Sequence, residues 1–531
     1  MIKVKRTLKL KKYNIHPILT FIGLTFLTII ISGILSLLQI QTTYNSINLN
    51  TLELEKNLVI IENLLNYDGI KFIISDAAKN FASFAPVSNL LISLIGLSIA
   101  YSTGLIDAFT KRITLNIDNK KITFLIILLA TISSLINDVG YVILIPLSAI
   151  IFSANKRDPL LGIITSFCGV AFGYGTTIFV GTSEVNLIPD TTAAARLVDK
   201  TFHVELTSNL IIMIISTIII SIVGTIVIEK LIAPKFNRKR IEDLEENTKE
   251  INLDEIKETE QKKIETETKQ KKGLKGVLVV SIIFIILFIY MLIPSLPLSG
   301  LLLDMTEKTY LKQLFGQNSY FQDGFTYMVS LYFVIGGIVY GIKAKTIKTA
   351  RELFDKCSSY LSDLGMLFVT LFFAAQFVAI FKKSNIGNLI VGISGNIISS
   401  SGFKGIPLVL LSMILIAICG LFVTTPNLKW NILAPIVIPL MMQSNITPQF
   451  SQFILRAADS MTKGFTPLLA YFSVYIGYLN IYNKGKNVIT MKESIAYIVP
   501  YCLIMSLTWI LIIIGWYILG APIGLGVGST F

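Results

Sequence analysis

Long apolar runs alternate with short polar segments along nearly the whole chain, and their lengths predict membrane-crossing helices. Runs at 17–39, 208–233 and 276–296 exceed the roughly 18–20 residues needed to span a bilayer. The same reading places spans at 88–107, 160–181, 325–343, 365–382, 450–480 and 496–519. The first run is too long for a secretory leader and ends in LLQIQTTYN with no small-residue cleavage site, so it is expected to stay as a helix. Two further stretches, 122–153 and 407–443, hold 32 and 37 residues, enough for two half-length helices and short for two full spans with a turn. They read as re-entrant helical hairpins, whose irregular turns are tolerated at membrane depth only where protein or a water-filled cavity surrounds them. The expected fold class is an all-α integral membrane protein of about nine spans plus two hairpins, lodged in the cell's inner membrane.

Charge supplies the orientation. Hydrophobic residues fill 53% of the 531 positions and charged residues only 15%, against about 25% charged in ordinary soluble chains. The net charge of +13 could point to nucleic acid, but the basic residues sit in short segments between spans rather than in a patch with aromatics. A cytoplasmic excess of Lys and Arg explains them better. The leader MIKVKRTLKLKK, residues 107–121 and 155–157, the segment from Lys235, KAKTIKTAR at 343–351 and KGK at 484–486 all share one side if the N-terminus is cytoplasmic and each hairpin returns to the side it enters. Residues 235–274 are charged, mixed in sign and poor in aromatics, and read as a solvated cytoplasmic linker or loose helix. They divide the chain into an N-terminal half, 1–234, and a C-terminal half, 275–531.

The halves resemble each other. Adding 289 to a position carries Asp138 to Asn427, Tyr141 to Trp430, Pro146 to Pro435, Pro159 to Pro448 and Thr177 to Thr466, without a gap. Because the first hairpin enters from the cytoplasm and the second from outside, the repeats are expected to be inverted. Inverted repeats with broken helices are how many secondary transporters build a midplane site, since an interrupted helix offers dipole ends and free backbone groups.

An ionisable group inside a span costs at least about 2.5–3.5 kcal/mol on insertion scales, so each one is a candidate functional group. Asp138, flanked by Asn137 and Gly140 at the expected break of hairpin one, reads as an ion-coupling carboxylate, as a cap on the second arm, or as both. Glu184 closes the hydroxyl-rich stretch GVAFGYGTTIFVGTSE, in which Thr176, Thr177, Thr182 and Ser183 offer oxygens to a hard cation. It reads either as an ion-coupling or proton-carrying acid or as an external loop acid; Asp190 and Asp199 read as loop residues. Arg456 and Asp459 are three apart on one helix face and are expected to neutralise each other in part. The fork of donors on Arg456 suits a substrate carboxylate, and Pro467 removes a helix bond in the same segment. Trp430, at the turn of hairpin two, either stacks on an aromatic ring or packs, and the neighbouring Lys429 either joins the site or snorkels to the interface.

The coupling ion is H+ or Na+, and a sodium ion is placed near Asp138, Thr176 and Asn427; no other metal and no cofactor is expected. Cys168, Cys357, Cys419 and Cys502 lack metal-ligand spacing and read as small buried residues. His16 and His203 lie at span ends. There is no P-loop, HExxH or Ser-His-Asp constellation, which argues against ATP-driven transport and against an enzyme, and leaves an ion gradient as the energy source.

Five segments carry a resemblance to a known family: NFASFAPVSNLLISLIGLSIAYSTGLI (80–106), LINDVGYVILIPLSAIIF (135–152), LFFAAQFVAIFKKSNIG (371–387), LKWNILAPIVIPLM (428–441) and ILRAADSMTKGFTPLLAYF (454–472). The chain resembles the AbgT family of p-aminobenzoyl-glutamate transporters. The resemblance implies a bowl-shaped homodimer with nine spans and two hairpins per protomer. It also implies gradient-driven movement of p-aminobenzoyl-glutamate or, alternatively, proton-driven export of sulfonamide antifolates. It assigns substrate-binding roles to Trp430, Pro448, Arg456, Asp459 and Pro467. The chain departs from the family pattern at two positions: Asn427 stands where a small serine is usual, and Glu184 stands where an aspartate is usual.

Overall fold

In lipid, every backbone donor and acceptor must be satisfied within the protein, so apolar runs coil into helices. The computed structural model describes residues 15–531 apart from 50, 115, 116, 137, 237–255, 317, 363, 484 and 486. The basic leader, Asn137, Lys484, Lys486 and much of the 235–274 linker thus lie outside the described residues. Among the described residues, nine helices are long and apolar enough to cross a membrane: Pro17–Leu37, Ala85–Ser102, Asn119–Ile136, Leu210–Phe236, Glu267–Leu292, Tyr320–Ala344, Gly365–Lys383, Gly405–Phe422 and Met491–Leu519. Prolines in the first turn open several helices, among them Pro17, Pro159, Pro426 and Pro448, where the missing N–H costs nothing.

Seven of these nine coincide with expected spans, and the other two are the first arms of the expected hairpins. Two expected spans, 160–181 and 450–480, are corrected because neither is a continuous helix. The first stops at Gly173 and resumes as Thr182–Arg196. The second runs from Pro448 to Thr462, tightens into a 3-10 turn over Lys463–Phe465, loses helical form around Pro467, and resumes as Phe472–Ile481. Pieces of 15 and 10 residues measure about 22 and 15 Å, short of a hydrocarbon core of about 30 Å. Hydropathy merges them because the irregular residues between, such as Ile178, Phe179, Val180 and Phe465, are themselves apolar.

The free carbonyls at these breaks are met by side chains from neighbouring elements. Trp509 Nε1 donates to Phe172 O at 3.2 Å and Ser134 Oγ to Thr176 O at 2.9 Å, while Thr466, itself in the second break, donates Oγ1 to Leu421 O at the end of Gly405–Phe422 at 2.7 Å. Such partners are what an interrupted helix needs in an apolar surround. The stretches 122–153 and 407–443, named hairpins one and two from the sequence, each form a helix, a short break and a second helix: Asn119–Ile132 and Val139–Ala154 around a 3-10 turn, and Gly405–Phe422 and Pro426–Gln443 around Val423–Thr425. The 289-residue offset also relates Pro159–Gly173 to Pro448–Thr462, each 15 residues long. A β-hairpin, Gln41–Ile47 paired antiparallel with Leu54–Ile60, follows the first span and packs on the second arm of hairpin two. Hydropathy gave no sign of it, since its strands are polar on one face.

The two broken helices cross at their breaks. A side chain at Gly175 would place Cβ 2.6 Å from Ser460 Oγ and 2.7 Å from Arg456 O, so only glycine lets the first break touch the second helix. Gly175→Ala is expected to cost about 1–3 kcal/mol through overpacking, seen as a lower thermal unfolding midpoint in detergent. Gly515→Ala, where a Cβ meets nothing within 4 Å, serves as the control and should leave the midpoint in place.

Candidate functional site

At this crossing the chain gathers six charged side chains, five of them buried and the sixth, Asp138, half-buried. Arg456, on Pro448–Thr462, forms an ion pair through Nη1 with Glu184 Oε1, on Thr182–Arg196. Glu184 Oε2 also accepts the Gly181 N–H at 3.0 Å, closing the start of its own helix. One turn further on, Asp459 Oδ1 pairs with Lys429 Nζ, from the second arm of hairpin two. All four side chains are buried. Gly420 on the first arm makes room, because a Cβ there would lie 2.9 Å from Thr462 Oγ1 and 3.1 Å from Asp459 Oδ1.

This arrangement corrects two expectations. Arg456 and Asp459 share a helix face but do not neutralise each other; each has a dedicated partner, one across the two halves and one within the C-terminal half. Lys429 does not snorkel, being fully buried on Asp459. Breaking a buried pair by removing one partner costs about 3–5 kcal/mol because an uncompensated charge remains.

Lys463 is the third base. It is buried on the 3-10 turn after Thr462, with Nζ 2.9 Å from the centroid of the Tyr174 ring. Among the described residues it has no salt bridge, while Asp459 and Asp138 lie within its electrostatic reach. A desolvated cation–π contact contributes about 2 kcal/mol, somewhat less than the insertion cost of a lysine, about 2.5–3.5 kcal/mol. The ring alone does not compensate the charge, and Asp459 and Asp138 are the carboxylates near enough to act on it. Asp138 occupies the N-cap position of Val139–Ala154, yet its side chain makes no capping bond; the capping role read for it is corrected.

Several polar atoms in this region are buried without a hydrogen-bond partner among the described residues: Arg456 Nε, Asp459 Oδ2, Thr177 Oγ1, Tyr141 OH and Gln452 Nε2. Native structures keep few such groups, and those that persist mark functional sites or places where a ligand or water completes the set. Together they offer both donors and acceptors.

The remaining expected residues are placed as follows. Trp430 is buried and donates Nε1 to Thr191 Oγ1 at 2.8 Å, and Thr191 donates to Gln452 Oε1 at 2.6 Å; the tryptophan ties Pro426–Gln443 to Thr182–Arg196, and Thr191 carries the link on to Pro448–Thr462. Thr176 spends its hydroxyl on Met213 O at 2.5 Å and lies 3.1 Å from Thr217 Oγ1. Asn427 is half-buried in the first turn after the break of hairpin two. Pro467 lies in the break itself. Pro448 opens its helix eight residues before Arg456, about 12 Å away along the axis, and is not brought to the charges. Asp190 is no loop residue: it sits on Thr182–Arg196 and accepts from Asn431 Nδ2 at 3.3 Å. Among the described residues, no group of three or more His, Cys, Asp or Glu side chains converges to hold a metal ion.

Sequence reasoning missed Lys463, Tyr174, Thr191 and Gln452. Lys463 had a signal, a lysine inside an expected span, which the insertion-cost argument applied to Arg456 catches equally well. Thr191 and Gln452 have none, since hydroxyls and amides abound in such chains.

Asp459→Asn is expected to lower the thermal midpoint strongly, because it leaves Lys429 buried and unpaired. Adding Lys429→Met should restore much of the loss. A double variant no more stable than Asp459→Asn alone would show that the pair does not carry the charge balance.

Comparison with known proteins follows the same lines. The chain is 28% identical over 514 residues to the p-aminobenzoyl-glutamate transport protein of Escherichia coli K12, covering 96% of this chain and 94% of that one. The crystal structure of the Alcanivorax borkumensis YdaH transporter matches at 25% identity with a TM-score of 0.47, over 96% of this chain and 100% of that one. Neisseria gonorrhoeae MtrF, described among antimetabolite efflux pumps, matches at 28% identity with a TM-score of 0.46, over 97% and 98% of the two chains. The model of the AbgT putative transporter family matches residues 11–531, so a multi-pass chain with paired charges at the crossing of two broken helices belongs to the AbgT transporter family.

Proposed function

We propose that the chain is an ion-gradient-driven secondary transporter of the inner membrane, acting as a homodimer, whose substrate is an aromatic acyl-amino acid of the p-aminobenzoyl-glutamate type. The observation that carries this reading is the Arg456–Glu184 ion pair. A guanidinium buried at the crossing of two broken helices, with Nε unpartnered, holds one carboxylate and can hold another. An anionic substrate competes with Glu184 for Arg456. The released Glu184 then needs positive charge at the crossing to balance it, so substrate and ion are coupled by charge balance.

The relative's name supports the substrate class, and the tyrosines and Trp430 around the crossing support an aromatic one. The 289-residue offset supports two inverted halves that alternate access around the crossing, and the basic segments support a cytoplasmic N-terminus. The absence of a catalytic constellation from the sequence supports transport without catalysis.

Reconstitution in liposomes tests the reading. Labelled p-aminobenzoyl-glutamate is expected to move under an imposed ion gradient, with Arg456→Lys slowing it by roughly tenfold or more because an ammonium cannot reproduce the bidentate fork. Movement of a sulfonamide and not of p-aminobenzoyl-glutamate would reassign the substrate to the antifolate class.

A further inference from the structure

Three acids and three bases meet at the crossing. Two bases are committed, Arg456 to Glu184 and Lys429 to Asp459. Lys463 alone has no direct carboxylate partner among the described residues; its Nζ rests on the face of Tyr174, and Asp138 and Asp459 act on it through space. Asp138 is likewise uncapped, and Asp459 keeps Oδ2 free of hydrogen bonds. A hard cation seated among these oxygens and the unpartnered Thr177 hydroxyl is what sodium coupling requires, but a lysine ammonium already serves those carboxylates.

Resting on the transport reading above, we infer that Lys463 supplies the exchangeable positive charge of this site. A proton at Lys463 Nζ takes the place of a bound alkali cation, so that the chain couples to protons and is indifferent to sodium. The proton leaves Nζ for water when the crossing opens to one side of the membrane, and Nζ recovers one from water when it opens to the other. No other bond is made or broken. Lysine suits the task because its compact ammonium gives up a proton readily in a dry site, whereas arginine stays charged.

The charged and titratable groups around Lys463 come from each element packed on its turn. Arg456 and Asp459 lie on its own helix, and Tyr174 follows Pro159–Gly173. Asp138 opens the second arm of hairpin one, and Cys419 and Lys429 lie on the two arms of hairpin two. Cys502 approaches from Met491–Leu519, donating to Met461 O at 3.3 Å. Of the bases, Arg456 and Lys429 are pinned in ion pairs, which leaves Lys463 as the group free to exchange.

The test uses the purified full chain and sodium alone as the first probe. The thermal midpoint of the wild type is expected to be equal in NaCl and KCl at matched ionic strength. Lys463→Gln should lower the midpoint and create a stabilisation by sodium over potassium, while Lys463→Arg should keep the wild-type indifference. In liposomes, Lys463→Arg is expected to lose pH-gradient-driven accumulation of p-aminobenzoyl-glutamate by at least roughly tenfold while retaining exchange of label between equal pools.

Sodium stabilisation of the wild type, a folded Lys463→Gln with no sodium response, or undiminished pH-driven accumulation by Lys463→Arg would each overturn the inference. If Lys463→Gln does not fold, the wild-type comparison and the arginine variant still decide. If p-aminobenzoyl-glutamate is not moved by the wild type, the substrate reading fails while the sodium comparison continues to judge Lys463.

Discussion

Charge buried in lipid must be compensated within the protein, and in this chain the Arg456–Glu184 pair is where that constraint organises the fold. Glu184 opens the second piece of one broken helix and Arg456 sits in the first piece of the other. Neither charge is tolerable alone in an apolar surround, so the two breaks must lie together. Their crossing places Gly175 on the backbone of Arg456, Tyr174 under Lys463, and Trp509 on the free carbonyl of Phe172. The hairpins complete it from either side, Ser134 of the first meeting Thr176 and Lys429 of the second meeting Asp459.

Much of the architecture was legible from hydropathy because bilayer thickness imposes a length on any continuous span. That rule has no purchase on a helix that stops inside the membrane and resumes, provided the irregular residues are apolar too. For this reason 160–181 and 450–480 read as single spans, and only Pro467 betrayed one of the breaks. The residues of the site were legible to the extent that they are charged: Asp138, Glu184, Arg456 and Asp459 stand out from apolar surroundings, and all four fall at or around the crossing. Who pairs with whom was not legible. A three-residue spacing shows that Arg456 and Asp459 share a face, but Glu184 is 272 positions from Arg456 in the chain, and only the tertiary fold makes it the nearer partner.

The 289-residue offset relates backbone elements better than it relates their chemistry. Under the 289-residue offset, Arg456 and Asp459 stand opposite Phe167 and Val170, both fully buried. Phe167 stacks on Tyr475 with centroids 4.1 Å apart and also meets Tyr141, which in turn stacks on Tyr471 at 4.8 Å. The N-terminal helix thus spends its equivalent positions on an aromatic stack that fastens it to Phe472–Ile481 and the turn before it, whereas the C-terminal helix spends them on charge. Thr177 and Thr466 repeat the contrast, since Thr466 bonds to Leu421 O and the Thr177 hydroxyl has no hydrogen-bond partner among the described residues.

These contacts differ in what a displacement of one half against the other would do to them. Lys429 and Asp459 both belong to the C-terminal half, so their pair travels intact. Glu184–Arg456, Trp430–Thr191, Thr191–Gln452 and Tyr174–Lys463 all join the halves and must break or slide. A charge freed inside the protein is costly unless something replaces its partner at that moment, whereas the hydrogen bonds are worth only about 1 kcal/mol each. Under the proposed transport cycle the ion pair across the halves would be the costliest of these contacts to separate, and a ligand offering Arg456 a carboxylate would lower that cost. On that proposal binding and movement depend on the same side chain, which is what coupling requires.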